Sequence, residues 1–187
     1  IYDYLRVLFA RIGTPYCPET GVKLEKLTVD EMVDIVLKEV KNQKTKKTEV
    51  LLTARVVDGR KGEYYQLLYD FYSQGFARVL VDGEMRRLSE KIELSRYKKH
   101  TIDIVVDVIP AASLLEPSKD ERQRLSEGLE RALEVGKKVA YVHFPDGHEH
   151  RLSATLTSPA TGIAFPEIEP RLFSFNSPYG ACPACNG

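Results

Sequence analysis

The sequence lacks the marks of several protein classes. Only three of its 187 residues are cysteines, Cys17, Cys182 and Cys185, which is too few for a disulfide framework and favours a reducing, cytoplasmic location. No apolar run approaches the ~18 residues that a membrane span requires, so we expect no membrane partner. No signal peptide opens the chain, and there is no initiator methionine. We therefore expect a piece of a longer protein.

The sequence also lacks a recognisable catalytic constellation. No G-x-x-x-x-G-K-[ST] loop is present, because "GRKGEY" and "VGKKVA" fail the spacing. Nothing in the sequence places a base beside Cys17, so a Cys-His enzyme is not expected. The 27 basic and 27 acidic side chains cancel, which argues against a protein that coats nucleic acid but allows a local basic patch. The chain carries no complete nucleotide site.

The pattern of apolar residues predicts an α+β fold with a mostly antiparallel sheet and packed helices. The signals are helical periodicity, two capping boxes of the form S/T-x-x-E, and two Asp-Gly turns between strand-like runs. The predicted order is a helix at 1–12, a helix opening with Thr28 and Glu31, a strand at 49–57, a basic loop at 58–63, a helix at 63–74, a hairpin at Asp82-Gly83, a strand at 101–109, a helix opening with Ser118 and Glu121, and a hairpin at Asp146-Gly147.

Two finer expectations concern single elements. The strand after the first hairpin alternates apolar and polar residues, so Ile102, Ile104, Val106 and Val108 are predicted to share one face. The third helix is predicted to present an apolar face and to end at Gly75 in a left-handed conformation. The residues of that predicted face are Tyr64, Leu67, Leu68, Phe71 and Tyr72.

The end of the chain has the spacing of half a zinc site. Cys182 and Cys185 form a C-x-x-C pair, whereas structural zinc uses four ligands. Ser158 and Thr161 stand where a second pair is expected, and hydroxyls are poor zinc ligands. The sequence therefore predicts a degenerate zinc-ribbon-like segment that is kept by packing.

Two other metal-binding sets stay open. Cys17 could join Cys182, Cys185 and one histidine, since these ligand types suit zinc. His148 and His150 should share a strand face beside the second hairpin, close to His143, and could bind a metal ion. Exposed polar residues beside a turn are the commoner reason for such histidines.

Several long motifs resemble one protein family. The segment "IYDYLRVLFARIGTPYCP" is similar to the one that follows the first Walker motif in the UvrA family, the damage-sensing ATPases of bacterial nucleotide excision repair. "EPRLFSFNSPYGACPACNG" is similar to the stretch that leads into that family's first ABC signature region. "TVDEMVD", "RKGEYYQLL", "SQGFARVLVDGE" and "KKHTIDIVVD" follow the order of its UvrB-binding insertion. The resemblance covers essentially the whole chain.

The resemblance implies a domain inserted in an ABC-type ATPase. Residues 1–16 would flank the first signature domain as a helix, 17–150 would form the UvrB-binding domain, and 151–187 would return into the signature domain through the eroded zinc module. The ATP-binding lysine and the signature motif lie outside the chain, so we expect no enzyme and no cofactor here, although the family uses ATP and zinc. In the common family pattern one zinc joins the pair before "EPRLFSF" to the pair after it.

The implied function is to dock UvrB for loading onto damaged DNA, while the parent protein dimerises, hydrolyses ATP and binds DNA. The contacts are expected in the 58–64 loop, on the exposed face of the 63–74 helix or in the 76–88 hairpin, where mixed charges and tyrosines suit a polar interface. The candidate contact residues are Arg60, Lys61, Glu63, Tyr64, Arg78, Asp82, Glu84, Arg86 and Arg87.

Two alternatives stand beside docking. In the first, the chain contacts DNA through the basic loop at 41–48 together with Lys98, Lys99 and His100, which a steep salt dependence would reveal. In the second, it is a zinc-binding structural module that uses the cysteines and histidines.

Overall fold

The computed structural model describes residues 1–24, 26–42, 49–158, 165, 168–177 and 180–181. The chain divides into two compact units, one made of Ile1–Lys26 with Thr155–Gly187 and the other of Leu27–Ala154. The domain limits implied by the family resemblance, after residues 16 and 150, stay predictions. None of the described helices has the length and apolar character needed to cross a membrane.

The second unit contains a six-stranded sheet whose neighbouring strands all run antiparallel, in the order β3-β2-β4-β1-β5-β6. This confirms the predicted α+β class and antiparallel sheet. The strands are β1 (Glu49–Lys61), β2 (Arg78–Val81), β3 (Glu84–Arg87), β4 (Lys99–Pro110), β5 (Val139–His143) and β6 (Glu149–Ser153).

Four α-helices occur in the described residues, in the predicted order. They are α1 (Tyr2–Ile12), α2 (Val29–Asn42), α3 (Tyr65–Ser73) and α4 (Lys119–Val135), and short 3-10 helices span Ala111–Leu114 and Pro170–Phe173. Both predicted capping boxes are confirmed. The Glu31 carboxylate accepts from the Thr28 amide at 2.7 Å, and the Glu121 carboxylate accepts from the Ser118 amide at 2.8 Å.

Both predicted hairpins are confirmed. Asp82 and Gly83 have φ of 53° and 86°, the left-handed pair that a two-residue turn between β2 and β3 requires. The turn between β5 and β6 has Gly147 at φ 89°.

The helices of this unit cover one face of the sheet. Val79 and Val81 of β2 pack with Ile102 and Ile104 of β4 against Leu68 of α3 in a smaller core cluster. A larger cluster joins α2 and α4 to the sheet. Its buried members are Met32, Val33, Val36, Leu37, Val40, Val50, Leu52, Ile109, Ala111, Leu114, Leu125, Leu129, Ala132, Leu133, Ala140, Val142, Phe144 and Leu152.

A bulge in β4 corrects the predicted alternation of that strand. Leu52 pairs with Asp107 and Thr53 pairs with Val105, so β4 carries one extra residue, Val106. Side chains beyond the bulge change face. Ile109 therefore enters the larger cluster, and the prediction that Val108 shares a face with the strand's earlier core residues is wrong.

The last of three register shifts between β1 and β4 extends β1 beyond its predicted end. β1 gains one residue relative to β4 between Val57 and Arg60. Gly59 lies in this bulge at φ 57°, in the left-handed region that glycine tolerates. The predicted loop at 58–63 is therefore wrong over its first four residues, because pairing with β4 resumes after the bulge and continues to Lys61.

The third helix differs in detail from its prediction. Tyr64 precedes α3 in a left-handed conformation with φ 51°. Leu68 is buried, but Tyr72 is exposed, so the predicted apolar face is wrong at that residue. Gly75, with φ 89°, confirms the predicted left-handed residue after the helix.

The first unit contains α1 and the short loop that follows it. No residue of α1 is buried among the described residues. Phe9 lies 6.2 Å from Phe173 between ring centroids, and Tyr2 stacks on Phe175 at 5.8 Å. The predicted apolar face of α1 is thus only partly covered, by aromatic contacts.

Candidate functional site

The predicted contact residues of the second unit lie around the β2–β3 hairpin and the adjoining ends of β1 and β4. Several of them are occupied by partners inside the unit. Asp82 accepts from the His100 ring through Nδ1 at 2.7 Å and from the Thr101 amide at 2.8 Å. The other ring nitrogen of His100, Nε2, lies 3.0 Å from the carbonyl oxygen of Ser95. Asp82 therefore links the hairpin turn to the start of β4, and His100 in turn contacts the segment before that strand.

The pKa values of this pair move in opposite directions. The hydrogen bond to Asp82 raises the pKa of His100, against the lowering effect of burial. Burial alone would raise the pKa of Asp82, but the hydrogen bonds from His100 and the Thr101 amide outweigh it and lower the pKa. Both shifts favour an imidazolium that donates from each nitrogen.

Two more of the candidate residues pair within the hairpin. The Arg86 guanidinium contacts Glu84 at 2.9 Å, so each neutralises the other at the outer strand. The Tyr64 hydroxyl donates to the carbonyl oxygen of Lys61 at 3.1 Å. These contacts reduce the charge and hydrogen-bonding capacity that the three side chains can offer to a partner.

A pair of arginines stands out among the remaining candidates. Arg78 of β2 and Arg87 of β3 are directly opposed in the antiparallel pairing, and both are exposed. Opposed residues on one face of a sheet have their Cβ atoms about 4.5–5.5 Å apart, and like charges there destabilise the pair. Neither arginine has an ion-pair partner among the described residues.

The arginine pair lies on the face of the sheet opposite the core clusters. Val79 faces α3, so its strand neighbours Arg78 and Leu80 face the other way. Met85 of β3 is directly opposed to Leu80 and is 42% exposed. The exposed surface made of Arg78, Met85 and Arg87 is called the hairpin face below.

A cleft of about 300 Å³ adjoins this surface. The cleft exists because β2 begins only at Arg78, which pairs with Val105, whereas β4 continues past Val105 and pairs with β1 on its other edge. Arg131 of α4 lines the cleft and lies over the Phe76 ring, 4.8 Å from its centroid. Arg131 also has no ion-pair partner among the described residues, whereas Arg124 nearby is paired with Asp107 at 2.7 Å.

The same sheet face carries a network around Arg55 that the sequence did not reveal. Arg55 contacts Asp103 through Nε at 2.7 Å and Nη2 at 3.0 Å, and it contacts Glu149 at 2.6 Å. Its guanidinium lies 4.1 Å from the centroid of the Tyr141 ring. Hydrogen bonding to Asp103 raises the pKa of Arg55 further.

This network also contains a set of possible metal ligands. Asp103, His143 and Glu149 each offer one ligand atom within a small region. The Arg55 cation, however, already occupies both carboxylates, and Asp103 is only 4% exposed. Burial lowers the pKa of His143, against the effect of the two carboxylates. We interpret the cluster as a complete ion-pair network.

Basic residues also lie side by side where the last residue of β1 pairs with the first residue of β4. Lys61 is directly opposed to Lys99, and Lys98 precedes it, all three exposed. His100, the neighbour predicted to contact DNA with them, is 6% exposed and engaged with Asp82. Most of the basic loop at 41–48 lies outside the described residues.

The described part of the first unit does not fit a structural zinc site. Hydrogen bonding with the Thr20 side chain, opposed by burial, lowers the pKa of the buried Cys17 thiol to about 7, and Ser158 adds a smaller lowering. One thiol with two hydroxyls is not a zinc donor set. Thr161, Cys182 and Cys185 lie outside the described residues, so the eroded zinc module stays a prediction.

Comparison with known proteins identifies close relatives. The model of a family described as "UvrA interaction domain" matches residues 28–146. Proteins named "UvrABC system protein A" match all of this chain, with 45% identity in Neisseria meningitidis, 43% in Thermus thermophilus and 41% in Bacillus subtilis. The chain spans about a fifth of the length of these relatives, with 19%, 19% and 18% of each covered.

Proposed function

The chain belongs to the UvrA family, and from that premise we propose that residues 27–154 dock UvrB, the partner implied by the family resemblance. The description "UvrA interaction domain" supports a role in binding another protein, and its match at 28–146 falls inside the second compact unit. In this proposal docking serves nucleotide excision repair, and ATP hydrolysis, DNA binding and dimerisation belong to the longer parent protein. The chain itself acts without catalysis.

The observation that carries the placement of the docking site is the opposed pair Arg78 and Arg87. The two guanidinium groups repel each other in the isolated unit, because the side chains are directly opposed and no described carboxylate lies within ion-pair distance of either one. Carboxylates of a partner would relieve this repulsion and could accept two hydrogen bonds from each guanidinium. We therefore propose that UvrB presents an acidic surface to the hairpin face.

The composition of the hairpin face supports the same placement. Arginine and methionine are enriched in the cores of protein interfaces, and exposed Met85 lies between the arginines and the hairpin turn. The adjoining cleft brings in Arg131, whose guanidinium is oriented by the Phe76 ring. An acidic side chain of the partner that enters the cleft would meet a third cation.

A charged surface of this kind suits transient loading. Opposite charges speed the encounter of two proteins, and a polar interface permits release. We expect the affinity for UvrB to fall as the salt concentration rises, because exposed charges are screened.

The test is a set of charge reversals in the whole chain. Arg78→Glu and Arg87→Glu should each weaken UvrB binding by about 10-fold or more, since arginine is enriched among the few interface residues whose loss costs about 2 kcal/mol or more. The matched control is Arg122→Glu on α4, where Arg122 forms an exposed ion pair with Asp34 of α2, and it should leave the affinity unchanged. Affinities would be measured by calorimetry, with circular dichroism to show that each variant is folded.

The same series separates two of the three regions named from the sequence, the 76–88 hairpin and the segment at 58–64. Arg60→Glu and Lys61→Glu alter the end of β1 without touching the hairpin face. A loss of affinity in these two variants alone would move the docking site to the end of β1. Unchanged affinity in all four variants would contradict docking at either surface.

One observation supports a second candidate function, contact with DNA. Lys61 and Lys99 are opposed like charges beside Lys98, and phosphate groups would relieve their repulsion. The double variant Lys98→Glu/Lys99→Glu should then lower the affinity for a labelled duplex and reduce its salt dependence. No binding of the duplex to the unaltered chain at low salt would refute this candidate.

A further inference from the structure

A groove runs between α3 and the irregular segment that follows β3, residues 88–92. Its volume is about 250 Å³. Leu68 of α3, together with Leu88 and Ile92 of the segment, lines the groove with buried apolar side chains. All of its residues belong to the second unit. We call it the tyrosine groove, after the three tyrosines of α3 that also line it, Tyr65, Tyr69 and Tyr72.

The three tyrosines form a continuous strip along the helix. They occupy positions i, i+4 and i+7 of α3, so their side chains lie on one face. Their exposed fractions are 64%, 54% and 48%, and none of their hydroxyls has a hydrogen-bond partner within the described part of the chain. Exposed tyrosines placed side by side are typical of protein interfaces, where the ring packs against the partner and the hydroxyl binds to it.

The other wall of the groove carries an uncompensated negative charge. Glu90 lines the groove and is exposed, and no cation of the described residues lies within ion-pair distance of its carboxylate. The neighbouring charge of Lys91 is already balanced by Glu93, at 2.6 Å. The groove therefore combines three aromatic rings with one unpaired carboxylate.

These features match the chemistry of an arginine side chain. A guanidinium is attracted to the face of a tyrosine ring, stacks flat on it, and can donate two hydrogen bonds to a carboxylate, whereas a lysine ammonium offers neither the flat stacking nor the paired donors. The aliphatic stem of the arginine would lie on the apolar side chains of the groove. The same unit already contains such contacts, with Arg55 over the Tyr141 ring at 4.1 Å and Arg131 over the Phe76 ring at 4.8 Å.

We propose that the tyrosine groove binds an arginine side chain in an exposed segment of a partner protein. Glu90 pairs with the guanidinium, and the tyrosine rings hold it by stacking. The groove is separate from the hairpin face, since Val79 faces α3 whereas Arg78 faces away from it. The two surfaces also select opposite charges, because the groove requires a basic segment and the hairpin face, in the docking proposal, an acidic one.

The experiment is an NMR titration of the whole chain with the blocked peptide acetyl-Gly-Arg-Gly-amide, observed through the tyrosine ring signals. We expect saturable shifts of the signals of Tyr65, Tyr69 and Tyr72. The matched peptide carries citrulline in place of arginine, which keeps the planar end group but has no charge. It should bind at least about 5-fold more weakly, because the attraction to the rings and to Glu90 depends on that charge.

Variants of the groove test the role of each wall. Glu90→Gln removes the negative charge, and Tyr69→Leu removes a ring but keeps an apolar side chain, so each should weaken binding of the arginine peptide by about 5-fold. Tyr69→Phe keeps the ring and should bind like the unaltered chain. The matched controls are Glu116→Gln and Tyr97→Leu, which alter an exposed glutamate and an exposed tyrosine outside the groove and should leave the affinity unchanged. Circular dichroism would show that each variant is folded.

Any of three results would overturn the proposal. One is the absence of a saturable shift with the arginine peptide. Another is equal affinity for the arginine and citrulline peptides, which would mean that the groove does not select a cation. The third is an unchanged affinity in both Glu90→Gln and Tyr69→Leu, which would place the bound peptide elsewhere. None of these results bears on UvrB docking, which the charge reversals at Arg78 and Arg87 test separately.

Discussion

At the scale of single residues, the stability of the second unit depends most clearly on Arg55. Its removal would leave Asp103, which is almost fully buried, without a compensating charge. We expect Arg55→Met to lower the free energy of unfolding by about 3–5 kcal/mol, as for other buried ion pairs broken on one side. Arg122→Met breaks an exposed pair and should cost less than about 1 kcal/mol.

Denaturant midpoints of the two variants measure this difference. Arg55→Lys is a further useful comparison, since lysine keeps the charge but cannot contact Asp103 with two nitrogens. If Arg55→Met were no more destabilised than Arg122→Met, the network around Arg55 would not be a determinant of stability.

His100 predicts a dependence of stability on pH. Its pKa is raised in the folded chain above the ordinary value of 6.5, chiefly by the hydrogen bond to Asp82. The stabilisation is therefore complete below pH 6.5 and is lost as the pH rises through the raised pKa. The lowered pKa of Asp82 acts at the acidic end of the pH range. The contribution of Asp82 to stability is lost there as the pH falls below 3.8.

The measurement is urea unfolding of the unaltered chain and of His100→Gln at several pH values. The stability difference should be largest near about pH 6 and should shrink toward about pH 9. Taking the difference in stability between the two proteins removes the effect of His143, which is present in both and whose pKa is shifted downward. A difference that grows with pH would contradict the assignment of a charged His100.

At the scale of elements, the features that could be predicted from the sequence are those that depend on residues close together in the chain. Capping boxes and Asp-Gly turns act over three or four residues, so Thr28, Ser118 and Asp82 could be assigned without a structure. The bulges in β1 and β4 could not, because one extra residue in a strand has meaning only relative to the strand it pairs with.

The same reasoning explains which site residues were missed. Arg131 is separated by more than 40 positions from the hairpin that it adjoins, and Glu39 is more than 100 positions from His148. No local pattern marks either residue. His148 and His150 could be paired from the sequence because they are two positions apart beside a predicted turn, but Glu39, the carboxylate that contacts both, comes from α2.

The cap of α4 provides a prediction at this scale. The Ser118 hydroxyl accepts from the Glu121 amide at 3.2 Å, which satisfies a donor at the free helix end. Ser118→Ala should lower the free energy of unfolding by about 1 kcal/mol. Ser118→Asp should preserve most of the stabilisation by the cap, because aspartate is also a favoured N-cap residue. Thermal unfolding followed by circular dichroism would measure both, and equal losses in the two variants would argue against the cap.

At the scale of the whole molecule, the two core clusters of the second unit share strands. β1 and β4 contribute to both clusters, and Val106 packs against each of them. We therefore expect the unit Leu27–Ala154 to unfold as one cooperative body.

Core truncations on either side test this cooperativity. Leu129→Ala in the larger cluster and Ile104→Ala in the smaller one should each cost about 2–5 kcal/mol, since both side chains are fully buried. Each should shift the same urea transition without changing its slope. A second transition in either variant would show that the two clusters unfold separately.

The central claim is that a member of the UvrA family docks UvrB through this part of its chain. The most direct measurement is a calorimetric titration of the whole chain with purified UvrB, in moderate salt and without DNA or ATP. We predict a saturable one-to-one heat that weakens as salt is added. No heat from a chain shown to be folded by circular dichroism would contradict the claim.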